Sequence, residues 1–141
     1  MSASAPPRIQ ALPDRALVAR LRTALSACAE NAALVDRGRY LNQHCLVGIG
    51  AETLLLAFDR GRPALSDSWP PLTSWDFALR GSALGWTAFW RHPPPPGWHD
   101  LLALAKRGEM RIEGQLQPFM ANLQYLKDLF AAPRAMFEAA P

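Results

Sequence analysis

The chain has 141 residues, half of them apolar, with five Trp, six Phe and only 19% charged residues, which excludes a mostly disordered chain and fits one domain with a substantial core. Its net charge of +3 comes from arginines scattered singly (Arg15, Arg20, Arg22, Arg37, Arg39, Arg60, Arg80), so no basic stripe argues for nucleic acid. No apolar run approaches the ~18 residues that span a bilayer, and Met1 to Pro7 lacks the charged and apolar regions of an export signal, so a cytoplasmic protein without an integral membrane segment is expected.

Residues 1–12 read as a disordered lead-in, 13–132 as the domain and 133–141 as a loose tail. From Asp14 onward Leu17, Val18, Leu21, Ala24, Leu25 and Cys28 recur at helical spacing, with Arg15, Arg22, Ser26 and Glu30 on the other side. Pro13 precedes this helix, Asp14 is placed to cap its first turn, and Gly38 marks its expected end. Tyr40 to Ile49 and Thr53 to Phe58 have strand length and form a hairpin about Gly50 to Glu52. A turn at Asp59 to Arg62 leads to a short third strand near Ala64 to Ser66, placed at a sheet edge by Pro63.

Ser74 to Arg80 alternates, with Trp75, Phe77 and Leu79 on one face, the period of a half-buried strand. Ser82 then caps a short helix carrying Leu84, Trp86, Phe89 and Trp90. Pro93 to Pro96 form a stiff connector. Helix returns over Trp98 to Arg107, stopped by Gly108. Strand Glu109 to Glu113 puts Met110 and Ile112 on one face, and a last helix over Leu116 to Phe130 carries Leu116, Phe119, Met120, Leu123, Leu126, Leu129 and Phe130 on one side. Pro133 ends it. Segregation of strand-rich and helix-rich stretches predicts an α+β fold, a five-stranded, antiparallel-dominated sheet covered on one face by helices.

Three segments of this chain resemble the sterol-carrier-protein-2 family of lipid-binding domains. Leu46 to Gly61, ending in Phe58-Asp59-Arg60-Gly61, resembles its central hairpin; Asp76 to Ser82 resembles its strand-to-helix passage. Arg107-Gly108-Glu109-Met110-Arg111-Ile112-Glu113-Gly114 with Leu116 to Leu126 resembles its closing strand and helix. The likeness covers about Leu17 to Phe130. It implies a single domain of that fold enclosing an apolar cavity for a fatty acid, sterol, acyl-CoA or related lipid, carried for a partner enzyme; transient membrane contact and a homodimer are compatible with it. Side chains for that cavity are Phe77, Leu79, Trp86, Phe89, Trp90, Leu101, Met110, Ile112, Phe119, Met120 and Leu123. Periodicity alone gives the same residues to an ordinary core; of core and floor or gate of the cavity, the two roles open to Trp86, Phe89 and Trp90, which are bulkier than the family pattern, the second is expected, with Trp90 bordering the cavity.

Catalytic and metal chemistry find little footing. His44, His92 and His99 are scattered, and Cys28 and Cys45 have no ligand or redox spacing, so they read as packed thiols. Serine lacks a nucleophile elbow, Gly48-Ile49-Gly50 lacks a third glycine, and Glu109 and Glu113 flank Arg111 as a solvated charge row. No cofactor is expected, and binding is preferred to catalysis. An enzyme of lipid or polyketide-like metabolism using the same cavity, and a structural or oligomerisation module burying the same aromatics, are the alternatives.

Overall fold

A computed structural model describes residues 9–137 of the chain. Helix α1 (Asp14–Ala29) buries Leu17, Leu21, Ala24, Leu25 and Cys28, the stripe its spacing predicts. The Pro13 carbonyl accepts the Ala16 and Leu17 N–H groups at 3.0 and 3.1 Å. The Asp14 carboxylate does not cap the helix; it accepts the Ala51 N–H at 2.9 Å and ties the helix start to a strand turn. The run expected to reach Gly38 holds two helices, because the Asn31 side chain accepts the Leu34 N–H and caps α2 (Ala32–Arg37) as a separate helix.

Strands β1 (His44–Ile49) and β2 (Glu52–Asp59) pair antiparallel across Gly50-Ala51, with Gly50 at φ +60°. Strand β3 (Arg62–Ser66) is an edge, as Pro63 predicts. Strand β4 (Phe77–Gly81) lies parallel to β1 and antiparallel to β5 (Met110–Gly114). The order is β3-β2-β1-β4-β5, with three antiparallel pairings and one parallel.

Between β4 and β5 lie α3 (Ala83–Phe89), capped by Ser82 through the Gly85 N–H as expected, and α4 (Leu101–Lys106). Helix α4 starts later than its apolar pattern, because the Asp100 carboxylate accepts the Leu102 and Ala103 amides; Trp98 lies outside the helix yet is buried. The long final helix is three: α5 (Leu116–Ala121), α6 (Leu123–Phe130) and α7 (Ala132–Phe137). Asn122 causes the first break. Its Nδ2 donates to the Pro118 carbonyl at 2.9 Å, the oxygen that its own backbone N–H would take in a continuous helix, and that N–H turns to Phe119 O at 3.3 Å.

Two expected segment limits move. Of the lead-in, only residues 9–12 fall among those described, and there Ile9 and Leu12 pack on the core and the Leu12 N–H bonds Thr87 Oγ1. The tail expected to be loose from 133 is helical to Phe137, since Pro133 sits in the first turn of α7, where no backbone donor is required. Residues 1–8 and 138–141 lie outside the described chain.

Alternation along the strands sends Cys45, Val47, Ile49, Leu54, Leu56, Phe58, Phe77, Leu79 and Met110 to the helix-covered face, where they form one core with Leu17, Leu21, Trp86, Leu126, Leu129 and Phe130. On the opposite face Arg80 bonds Glu113 at 2.9 Å and Arg111 reaches the same carboxylate at 2.8 Å. Among the described residues no helix is long and apolar enough to cross a membrane.

Candidate functional site

Most of the eleven side chains assigned to the cavity do meet. Phe77, Leu79, Trp86, Phe89, Trp90, Leu101, Met110 and Phe119 are buried members of the single core between sheet and helices. Ile112 and Leu123 are half-buried against it. Met120 is not brought in: it is 53% exposed, as Leu116 is at 49%. The break at Asn122 explains this. A continuous helix would put Leu116, Phe119, Met120 and Leu123 on one stripe, whereas the separate α5 turns Pro118 and Phe119 inward and leaves Leu116, Gln117, Met120 and Ala121 to solvent.

The aromatic cluster is closely packed. Trp86 stands 5.0 Å from Trp90, 6.0 Å from Phe89 edge-on, and 6.1 Å from Phe130, centroid to centroid. Both indoles use their nitrogens: Trp86 Nε1 donates to Gly48 O at 2.9 Å and Trp90 Nε1 to Phe130 O at 2.7 Å. Trp86 thus turns to the sheet and Trp90 to α6, and the two indole donors fix those ring positions. All three side chains are buried, where the sequence reading expects Trp90 to border a ligand cavity.

A second aromatic contact lies toward the edge strand. Phe119 of α5 meets Phe77 of β4 edge-on at 5.8 Å. Ile112 of β5 and Leu123 at the start of α6 are half-buried against the same core, and α5 itself leaves Leu116 and Met120 exposed. Beside α5 a cleft of about 270 Å³ is lined by Tyr40, Gln43, Gln117, Pro118, Ala121 and Asn122. None of these six was among the residues singled out from sequence, and Tyr40, 78% exposed, carried no periodic signal that could have marked it.

The ionisable groups near the core are structural. Burial pushes the Cys45 and Cys28 thiols up, so neither offers a thiolate at neutral pH. Burial also raises the Tyr125 phenol, whose O–H donates to the Gly61 carbonyl and bolts α6 to the β2–β3 turn. Arg134 of α7 donates to Phe89 O from Nε at 2.9 Å and Nη2 at 2.6 Å, and from Nη2 to His99 O at 3.1 Å, with its guanidinium 4.9 Å above the Phe89 ring. Burial lowers its pKa. Glu109 is no free carboxylate of a surface row: it accepts the Ser82 hydroxyl at 2.5 Å, behind the α3 cap. No cluster of three or more His, Cys, Asp or Glu suited to a metal ion occurs among the described residues.

No family model and no curated protein matches the sequence. Solved structures do match in shape. A structure described as the UbiJ-SCP2 ubiquinone synthesis protein is similar at 21% identity and a TM-score of 0.54, over 84% of this chain and 99% of that one. A crystal structure of sterol carrier protein 2 is similar at 12% identity and a TM-score of 0.60, over 82% of this chain and 94% of that one. Sterol carrier protein 2 from Yarrowia lipolytica, in its apo form, gives 12% identity and a TM-score of 0.55, over 89% and 96%. Matched in overall structure over 94–99% of the length of these structures, the chain has the sterol-carrier-protein-2 fold.

Proposed function

We propose that this protein binds an apolar, lipid-like molecule between its sheet and its helices and carries it, without catalysis, for delivery to a partner enzyme. The observation that carries this reading is the single apolar core between sheet and helices, with Phe119 on Phe77 and Ile112 and Leu123 half-buried against it, in a fold shared with sterol carrier proteins. An acyl or prenyl chain laid against these side chains would exchange water contact for apolar contact, worth about 0.8 kcal/mol per buried methylene. The eleven assigned side chains include no acid, base or nucleophile, which favours carriage over chemistry. Similarity to a ubiquinone synthesis protein adds an isoprenoid quinone or its precursor to the fatty acids and sterols as ligand classes.

Native mass spectrometry of the protein purified without denaturant, against a panel of fatty acids, sterols and isoprenoid quinones, tests this. One class should bind with a Kd below about 100 μM, a free energy stronger than about −5.5 kcal/mol. Failure of all three classes at that level would overturn the carrier reading in favour of a structural module.

A further inference from the structure

We infer that the cleft between α2 and the β2–β3 turn binds a phosphoryl group, held by Arg39, Arg60 and Arg62, a site that does not depend on the carrier reading above. The cleft holds about 300 Å³; Ala29, Ala32 and Val35 give it an apolar lining, and the three arginines give it cations. Two of these arginines are shared with carboxylates. Arg39 Nη1 lies 3.4 Å from the Asp36 carboxylate and Arg62 Nη1 lies 3.6 Å from that of Glu30, against about 2.7–2.9 Å for a well-formed bond between such charges. All four side chains are more than half exposed, so these pairs are weak and an entering anion can displace them. A 2.8 Å bond from Arg39 Nη1 to the Asp36 carbonyl keeps that arginine beside the cleft. Arg60 is the surplus cation: among the described residues its guanidinium has no hydrogen-bond or ion-pair partner.

The backbone holds Arg60 in a strained conformation. Arg60 and Gly61 are the two central residues of the turn between the paired Asp59 and Arg62, with φ of +51° and +85°. A turn with positive φ at both positions favours Asn, Asp or Gly at the first, where a long side chain on an ordinary Cβ is disfavoured. Bonds from outside the turn keep it in place. The Arg60 N–H donates to Asn42 Oδ1 at 2.8 Å, the Gly61 N–H donates to Leu41 O at 3.0 Å, and Gly61 O accepts the Tyr125 hydroxyl. A Cβ on Gly61 would stand 2.5 Å from Val35 O, so the turn lies directly against α2 and the two walls of the cleft are fixed to each other. Strain held by surrounding bonds is a mark of functional positions. A guanidinium offers a planar fork of N–H donors that matches phosphate oxygens, and an apolar lining strengthens each charge beside it. Three such forks against two displaceable carboxylates suit a phosphoryl anion, carried by a soluble phosphate ester or by a phospholipid head group.

Two measurements on the full chain test this: titration calorimetry with inorganic pyrophosphate, and co-sedimentation with phosphatidylcholine vesicles that contain or lack phosphatidylglycerol. At least one anionic probe should bind, pyrophosphate with a Kd below about 1 mM. Arg60→Asn removes the guanidinium and puts at the turn a residue that favours positive φ. It should weaken binding about tenfold or more, as for loss of a charge-assisted hydrogen bond, while leaving the melting temperature unchanged or higher. Arg15→Gln removes the same charge from an exposed position of α1 and should bind like the native chain. Pyrophosphate binding without vesicle binding assigns the site to a soluble phosphate ester; binding to the phosphatidylglycerol vesicles alone assigns it to a lipid head group. Failure of both anionic probes to bind, affinity unchanged in Arg60→Asn, or equal weakening by Arg60→Asn and Arg15→Gln would overturn the site.

Discussion

Trp86 Nε1 donates to the carbonyl of Gly48 at 2.9 Å, and the same nitrogen lies 2.4 Å from where a Cβ on Gly81 would sit. One indole of α3 is therefore seated on two neighbouring strands, β1 and β4, at positions paired to within one residue of each other. Gly81→Ala should cost about 1–3 kcal/mol by overpacking. Trp86→Phe should cost a similar amount by losing the indole donor and its volume. Because both act on one contact, the double variant should be less destabilised than the sum of the two; urea unfolding of all four proteins measures it, and strict additivity would refute the shared contact.

Trp90 gives a second test of the packed cluster. With its ring 5.0 Å from Trp86, 4% exposure and its nitrogen on Phe130 O, Trp90→Ala should lose about 3–5 kcal/mol, as for deletion of a core aromatic. A loss well under that range in denaturant titration would mean that Trp90 already borders empty space.

The Arg134 guanidinium joins α7 to the end of α3 and to the loop before α4. Arg134→Gln should leave the fold intact, lower stability by about 1–2 kcal/mol and expose the chain after Phe130 to early proteolytic cleavage. Cleavage kinetics identical to those of the native chain would show that α7 is held by its apolar contacts alone.

Asp100 supplies a pH dependence. Burial alone would raise its pKa, but the Ala103 and Leu102 amides, with Lys127 and His99 nearby, hold it below the ordinary value. A depressed folded pKa means that the charged form favours the fold, so its contribution is present above the unfolded value of about 3.9 and is lost as pH falls through the folded value. Asparagine keeps the cap but not the charge. The stability gap between the native protein and Asp100→Asn should therefore hold steady above about pH 5 and shrink as pH falls from there through the folded value, and a gap constant with pH would remove the charge from the account.

Local patterns were legible without any structure. The stripe of α1, the strand at β5, the turn at Gly50, the Ser82 cap and the stop at Gly108 rest on residues within a few positions of one another, where spacing and side-chain chemistry suffice, whereas β4 begins only at Phe77 and buries Ala78 as well as Phe77 and Leu79. The same holds for the edge position of Pro63 and for the buried character of eight of the eleven assigned side chains.

What spacing could not reach depended on partners far along the chain or on a competition between near-equal bonds. Asp14 looked like a helix cap until Ala51, 37 residues on, took its carboxylate. Asn31 and Asn122 each sit in an apolar period that continues past them, so periodicity ran one helix through both; whether an amide side chain takes a backbone partner from the helix is decided by the angle at which the next segment must pack. That decision turned Met120 and Leu116 outward and Phe119 inward. The sequence by itself determined which residues are apolar and with what local period, because those are properties of neighbours. Only the tertiary structure decided that β4 lies parallel to β1, that Trp86 seats on Gly48, and that Phe119 of α5 packs on Phe77, because each is a choice among distant partners whose energies local pattern does not contain.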